Sequence, residues 1–351
     1  MNPVTKLDNF PGVFIVGSGR SGTTLLRLML DNHPNIHIAD ESEFLSVFYG
    51  YEKFDFSNEK MRYRIISDIE HFYRKMFPND TDHYWKDLIS EHKENIVQAS
   101  SNFKTLVRNI YSFLLNDESV RIWGDNTPQY ISIADHIRSW FPKAKFIHLI
   151  RDGRDVHLSM ARLAWGPNYI YWSAKYWKSI IQLGKYWQRK WPDEWLDITY
   201  EELLKDPEKT LKKITVFLKI PYDTIMLSFH KTAHQKLPPS LLKEQFQKTT
   251  APVDPKNCFK WKHQMPEEDV RLFEKIAGYE LSMYGYKRIL PDNEVENDLR
   301  MTRYILPEAR ARIKNLFRHP TGGKAVLYYK YFLPLLYQIK SMSGTHAKTV
   351  S

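Results

Sequence analysis

The chain has 351 residues, enough to bury the core of one large α/β domain or of one domain with appendages. A hydrophobic fraction of 42% and a charged fraction of 26% are those of an ordinary soluble globular protein, while a formal charge of +10 suits an anionic ligand, a membrane surface or nucleic acid. The single cysteine, Cys258, excludes an intrachain disulfide and any zinc site built from several cysteines.

The residues before Val13 include Asp8 and Pro11 and form no apolar run, so neither a secretory signal nor an N-terminal anchor is expected. No stretch approaches the roughly 20 apolar residues of a membrane-spanning helix. The expected compartment is reducing and cytoplasmic.

Val13 to Val16 reads as a short buried strand, the glycine-bearing turn Gly17 to Gly22 follows, and Thr23 to Leu30 continues as an apolar helix. The periodicity from about Ser57 to Leu115 is helical and predicts an insertion over the sheet, at about residues 52–118. Strand signals return at Val120 to Trp123, Lys145 to Ile150 and Leu196 to Thr199. Helical patterns follow each of them, at Ile131 to Trp140, Val156 to Leu163 and Pro207 to Leu218. Such alternation predicts βαβ units and a parallel sheet covered on both faces. A last helix, Glu267 to Tyr284, has Pro266 at its start and Gly285 at its end. Past Pro291 the chain becomes Arg-rich and then aromatic, so the expected organisation is one domain over residues 1–290 and a basic and aromatic helical appendage over 291–351.

Strand, glycine turn and helix together read VFIVGSGRSGTTLLRLML. Backbone N–H groups at such a helix start converge on one point, and the helix dipole adds positive charge there. Gly19 and Gly22 let the backbone approach an anion. Ser21, Thr23 and Thr24 add hydroxyl donors, and Arg20 adds a fixed charge. The lysine of a Walker A loop is missing, since Thr23 follows Gly22, which argues against an ordinary P-loop ATPase, GTPase or kinase. Read without further context, the same residues could form a plain strand-to-helix turn.

The segment GSGRSGTTLLRLMLDNHP resembles the 5′-phosphosulfate loop of sulfotransferases that use 3′-phosphoadenosine 5′-phosphosulfate (PAPS), and most of all the tyrosylprotein-sulfotransferase type. That resemblance implies a P-loop-like α/β fold and assigns Arg20, Ser21, Gly22, Thr23 and Thr24 to the 5′-phosphosulfate. KFIHLIRDGRDVHLSMAR is a strand followed by an Asp-Gly turn and a helix. Alone, its Arg-Asp-Gly-Arg reads as a polar turn whose charges pair with one another. By resemblance, Arg151 and Ser159 bind the 3′-phosphate. DITYEELLKDPEKTLKKI is similar to the family's Tyr-Glu-Glu-Leu element and points to Tyr200. FKWKHQMPEED resembles a late family segment, which implies that Lys260, by itself a surface lysine, contacts the nucleotide from a closing loop.

The resemblance also implies a general base in HIADESEF. Counting from Arg20 assigns it to Glu41, with Glu43 as the second choice. Arg20 then serves catalysis as well as binding. Where many relatives have a lysine on the bridging oxygen, this chain has Asn126 in WGDNTP, with Asp125 and Thr127 beside it. PAPS is expected as co-substrate, PAP as the product, and no metal. The 13 histidines are scattered, with no His-Glu-x-x-His.

The expected acceptor is a carbohydrate first, then a protein tyrosine, then a lipid or small alcohol, with a hydroxyl or amine receiving the group. The regions Ser42 to Leu115 and Leu163 to Tyr176 are the expected sources of its pocket. The aromatic run Trp165, Tyr169, Tyr171, Trp172, Tyr176 and Trp177 reads first as packing at helical spacing. The tail, with Arg300, Arg303, Arg310, Arg312, Lys314 and Arg318 ahead of AVLYYKYFLPLLYQIK, is broken by Lys330 and Pro334. It suits peripheral membrane contact, docking on the protein itself, or self-association. A nucleotide or small-molecule kinase is the rival reading. Nucleic-acid binding would explain the charge but leaves the anion turn unused, and no nucleic-acid partner is expected.

Overall fold

In the computed structural model, residues 7–76, 84–162, 169–237 and 246–290 are described below. The tail beyond Pro291, Trp165 and part of each predicted acceptor region lie outside those residues. The first strand, β1, is Gly12–Gly17, and Val13, Phe14, Ile15 and Val16 are fully buried. A strand buried on both faces belongs in the interior of a parallel sheet, and β1 lies there. With β2 (Ile36–Ala39), β3 (Ile122–Asp125), β4 (Lys145–Ile150) and β5 (Trp195–Thr199), it forms one sheet in the order β2-β3-β1-β4-β5. Every neighbouring pair is parallel, with Phe14 opposite Asp125 on one side and Phe146 on the other.

Side chains alternate along each strand, so the sheet divides its apolar residues between two cores. Val13, Ile15, Ile38, Ile147 and Ile198 pack beneath helix α1 (Thr23–Leu30). Phe14, Val16, Trp123, Phe146 and Trp195 face the opposite side. That second core is closed by the predicted helical insertion. Helix α2 (Phe44–Phe48) lies just ahead of the predicted bounds, and within them are α3 (Glu59–Met76), α4 (Tyr84–Glu91), α5 (Lys93–Gln98) and α6 (Phe103–Ser112). Asn102 and Thr105 cap α6 reciprocally, each side chain bonding to the other's backbone N–H.

Helix α7 is Ala134–Trp140, and the predicted start at Ile131 falls in the preceding 3₁₀ turn, Pro128–Ile133. After β4, helix α8 runs over Gly153–Ala161, starting earlier than its apolar pattern because Asp152 accepts from the Arg154 N–H and caps it. Helix α9 (Ile170–Lys190) was not separated out by the sequence reading. Its Trp177 and Ile181 bury against α8 and α12 (Glu267–Met283), and Tyr171 and Tyr176 pack partly buried against the same core, so these members of the predicted aromatic run are helix packing. Helices α10 (Tyr200–Lys205) and α11 (Pro207–Leu218) follow β5, with Asp206 capping α11 and Pro207 in its first turn.

Strand β3 lies two residues later than predicted, at 122–125 rather than 120–123. Gly124 and Asp125 are poor strand formers by propensity, but a Cβ at position 124 would stand 2.3 Å from the Val13 carbonyl oxygen. Close approach of β1 therefore demands glycine there, and the ladder, not propensity, sets the strand's end.

Among the described residues, no helix is long and apolar enough to cross a membrane.

Candidate active site at the strand ends

The connection leaving β1 runs toward one edge of the sheet and that leaving β4 toward the other, which opens a crevice at their C-terminal ends. The predicted site residues gather along this edge. Arg20 to Thr24 follow β1, Glu41 follows β2, Asn126 follows β3, Arg151 follows β4 and Tyr200 follows β5. Parallel strands all present the same end to one side, so residues far apart in the chain share one rim.

The turn after β1 leaves the start of α1 without a side-chain cap. Gly22 stands at φ 95, a left-handed conformation that glycine adopts at least cost. A Cβ there would also lie 2.5 Å from the Tyr200 ring, so Gly22 lets β5's connection close on the turn. Glycine offers no capping side chain and the first turn of α1 holds no acid, which leaves its N–H groups for a bound anion. Ser21 Oγ lies 2.6 Å from Ser18 Oγ, and Thr23 and Thr24 are buried in the first turn. Arg20 is itself left-handed, at φ 68.

Arg20, Arg151 and Ser159 meet directly. Arg20 donates from Nε to Ser159 Oγ at 3.3 Å, and Arg151 donates from Nη1 to the Arg20 carbonyl at 3.2 Å. Burial lowers the Arg20 pKa, Glu41 pushes it back up, and Arg151 lowers it further. The Arg151 guanidinium lies 4.6 Å from the Tyr200 ring centre and donates to Asp155 Oδ2 at 3.3 Å. Its Nε is buried and has no hydrogen-bond partner among the described residues.

The charge pairing that Arg-Asp-Gly-Arg suggests is present as well, and it falls on other members. Arg154 is bidentate to Asp152, bonds Glu274 at 2.5 Å and stacks over Trp261 at 3.6 Å, all out of solvent. One arginine of the motif is thus a structural tie and the other faces the crevice.

Lys260 joins the same cluster from the far side of the chain. Trp261 N–H donates to Asp155 Oδ1 at 2.9 Å, which seats the loop on α8. Burial, then Lys248, Arg151 and Arg162, pull Lys260 down to about 8. So many cations converging without an equal number of acids is an electrostatic cost that a polyanion would relieve. The sequence reading missed Lys248, and also Asn257, which donates to the Tyr200 hydroxyl at 2.8 Å, and Phe246, whose ring centre lies 5.5 Å from the Arg20 guanidinium. None of the three carries a local pattern that would have marked it.

On the other flank stand the acids. Burial, then Glu43, Asp40 and Asp125, push the Glu41 carboxyl well above the ordinary carboxylate range, and Arg20 pulls it partly back. Burial also raises Asp125, to about 6, against hydrogen bonds from Ser42, Thr127 and Tyr111. Asn126 is fully buried, and neither its Nδ2 nor its Oδ1 finds a hydrogen-bond partner among the described residues. Native proteins rarely leave such groups unsatisfied unless something else engages them. Tyr176, read from sequence first as packing and otherwise as a ring that could stack on a sugar or frame a tyrosine, accepts a hydrogen bond from the Gly19 backbone and lies within the field of Glu41.

This parallel α/β chain has counterparts among known proteins. The chain is 25% identical over 291 residues to protein-tyrosine sulfotransferase of Drosophila melanogaster, covering 79% of this chain and 52% of that protein. It is 25% identical over 280 residues to protein-tyrosine sulfotransferase A of Caenorhabditis elegans, covering 76% of this chain and 65% of that one. It thus spans from about half to just under two thirds of these relatives' lengths. The sulfotransferase domain from the olefin synthase of Synechococcus PCC 7002 shares the fold, with a TM-score of 0.54, 23% identity, and coverage of 80% of this chain and 96% of that one. The sulfotransferase family model matches residues 11–224, from the start of β1 past α11. Those residues carry all five strands and the turns after them, so this chain belongs to the sulfotransferase family.

Proposed function

We propose that the protein transfers a sulfuryl group from PAPS to a hydroxyl acceptor by in-line displacement. The observation that carries this reading is the meeting of Arg20, Arg151 and Ser159 across two separate βα turns. Two adjoining anion subsites suit a nucleotide phosphorylated at both its 3′ and 5′ positions. The uncapped start of α1, with Arg20, Ser21, Gly22, Thr23 and Thr24, would hold the 5′-phosphosulfate. Arg151, Ser159, Tyr200 and Lys260 would hold the 3′-phosphate side, with Lys248 adding charge. The orphaned Arg151 Nε and Asn126 amide fit this polyanion as contacts the protein itself leaves open.

Glu41 then serves as general base. It takes the proton from the acceptor O–H while the acceptor oxygen forms its bond to sulfur. The bond from sulfur to the bridging oxygen breaks, and its electron pair stays on the phosphate of departing PAP. Arg20 stabilises the charge that develops there, and the Asn126 amide adds a neutral donor. A carboxyl held above the ordinary range is a better proton acceptor near neutrality than an exposed one.

For the acceptor we place a tyrosyl hydroxyl first, ahead of the carbohydrate favoured by sequence alone, because the relatives at 25% identity are named protein-tyrosine sulfotransferases. The deciding experiment compares thermal stabilisation by PAP, AMP and ATP with Mg²⁺, and then sulfuryl transfer from PAPS to a tyrosine-containing peptide and an oligosaccharide. Stabilisation by PAP well above AMP, with metal-independent transfer, is expected. Preference for ATP with Mg²⁺ would return the kinase reading.

A further inference from the structure

The loop that carries Glu41, residues 40–43, is held from four directions by hydrogen bonds that reach it from the insertion and from the end of β3. Trp85 of α4 donates from Nε1 to the Asp40 carbonyl at 2.9 Å. The Tyr73 hydroxyl of α3 donates to the Ser42 carbonyl at 2.6 Å. The Ser42 and Glu43 N–H groups both donate to Thr127 Oγ1, at 2.9 and 3.3 Å. Just beyond, the Tyr130 hydroxyl accepts from the Leu45 N–H at 3.1 Å.

Thr127 is the centre of this arrangement. A threonine hydroxyl has one hydrogen and two lone pairs. Its hydrogen goes to Asp125 Oδ1 at 2.6 Å, which commits both lone pairs to the loop's two N–H groups. Asp125 Oδ2 is held in turn by the Tyr111 hydroxyl of α6 at 2.6 Å, and Ser42 Oγ lies 3.0 Å from that same hydroxyl. Ser42, Asp125, Thr127, Tyr111, Tyr130 and Tyr73 are all buried, so each bond forms at low dielectric and each orphaned group would be costly. The loop needs such holding, because Glu43 within it stands at φ 52, a left-handed conformation unfavourable to a glutamate.

We propose that Thr127, anchored by Asp125, is a positioning residue that fixes the backbone on which Glu41 is presented to the acceptor. The helical insertion, through Tyr73, Trp85 and Tyr111, supplies the rest of the clamp. The insertion therefore serves the chemistry as well as covering the sheet. This inference rests on the reading of Glu41 as the general base.

The test is a mutant cycle on the full chain, with release of PAP from PAPS measured in the presence of water alone and of a tyrosine-containing peptide. Thr127→Val keeps the shape and deletes the hydroxyl. Its kcat should fall by about 10-fold to 10²-fold, as misplacement of a catalytic group does, while PAP still stabilises the protein to the wild-type extent. Thr127→Ser restores the hydroxyl and should restore most of kcat. Amide hydrogen exchange at Ser42 and Glu43 should quicken in Thr127→Val and not in Thr127→Ser. In a Glu41→Gln background Thr127→Val should add little further loss, because the group it positions is already gone. Tyr73→Phe, which removes one clamp bond and no packing, should show the same kcat loss in milder form and the same dependence on Glu41.

Full additivity of Thr127→Val with Glu41→Gln would overturn the proposal, as would wild-type turnover in Thr127→Val. If Glu41→Gln is impaired while Thr127→Val and Tyr73→Phe are not, the positioning role alone falls. If Glu41→Gln turns over like wild type, the base reading falls and takes the positioning role with it.

Discussion

Arg151 reaches from the end of β4 to bond the carbonyl of Arg20 at 3.2 Å, so the two anion turns are joined through the backbone of one and the guanidinium of the other. The two cations are thereby held side by side, and Arg151 makes the Arg20 charge more costly. In the proposed complex a bound polyanion would offset that cost.

The 3′-phosphate should be read through Arg151. Wild-type protein should prefer PAP to AMP by about 10-fold to 10²-fold, the worth of one charge-assisted hydrogen-bonded contact. Arg151→Ala should bind AMP nearly as before and lose the preference. Calorimetric titration with both nucleotides checks this, and an undiminished preference would move the 3′-phosphate elsewhere.

At Arg20 binding and chemistry should separate. Arg20→Ala removes the guanidinium but keeps the Cβ, and with it the left-handed strain that Arg20 already carries at φ 68. Arg20→Gly removes the same side chain without that strain. Both should lose turnover by about 10²-fold or more, while affinity for PAP, which has no sulfuryl group, declines less. Turnover near normal in Arg20→Gly would make the turn structural.

Glu41 should be visible in pH profiles of both rate and stability. As base it works deprotonated, so kcat should rise with pH along a limb lying above the ordinary glutamate value of 4.5, because burial, Glu43, Asp40 and Asp125 hold its proton on. Glu41→Gln should cut kcat by about 10²-fold and erase that limb, with Glu43→Gln much milder. The stability effect has the opposite sense. A pKa raised by folding contributes stability that is complete below the unfolded value and is lost as pH climbs through the folded one. Glu41→Gln should thus melt higher than wild type at neutral pH, with the gain vanishing below about pH 4.5. An essential Glu43 and a dispensable Glu41 would transfer the role by two residues.

Asn126 should trade stability for activity. Its buried amide has no hydrogen-bond partner among the described residues, and an unsatisfied buried group costs about 1–3 kcal/mol. Asn126→Leu should therefore be as stable as wild type or more so, yet slower by about 10-fold, the usual exchange at a functional site. A destabilised variant with normal turnover would mark Asn126 as a structural residue.

The strands β1 and β4, the helices α1 and α11 and the glycine turn after β1 were legible in the sequence, because each depends on local chemistry. Val13 to Val16 is an unbroken apolar run, Gly22 can take a conformation others resist, and Pro207 announces the start of a helix. Motif spacing, by resemblance, singled out Arg20, Arg151, Ser159 and Tyr200. What lay beyond reach was every relation made by the parallel sheet. Lys248 and Asn257 reach the site through long-range packing, and no local pattern foretells that. The end of β3 was misplaced because the nearness of Gly124 to the Val13 carbonyl, a contact between strands, overrides the weak strand propensity of Gly124 and Asp125. Most of all, the insertion read as a helical cover and a source of the acceptor pocket, not as a set of hydrogen bonds to the Glu41 loop, since hydroxyls such as Tyr73 and Tyr111 look like any other core aromatics in sequence. Only the folded chain decides that their polar ends turn toward Ser42 and Asp125, where burial makes each hydrogen bond costly to lose.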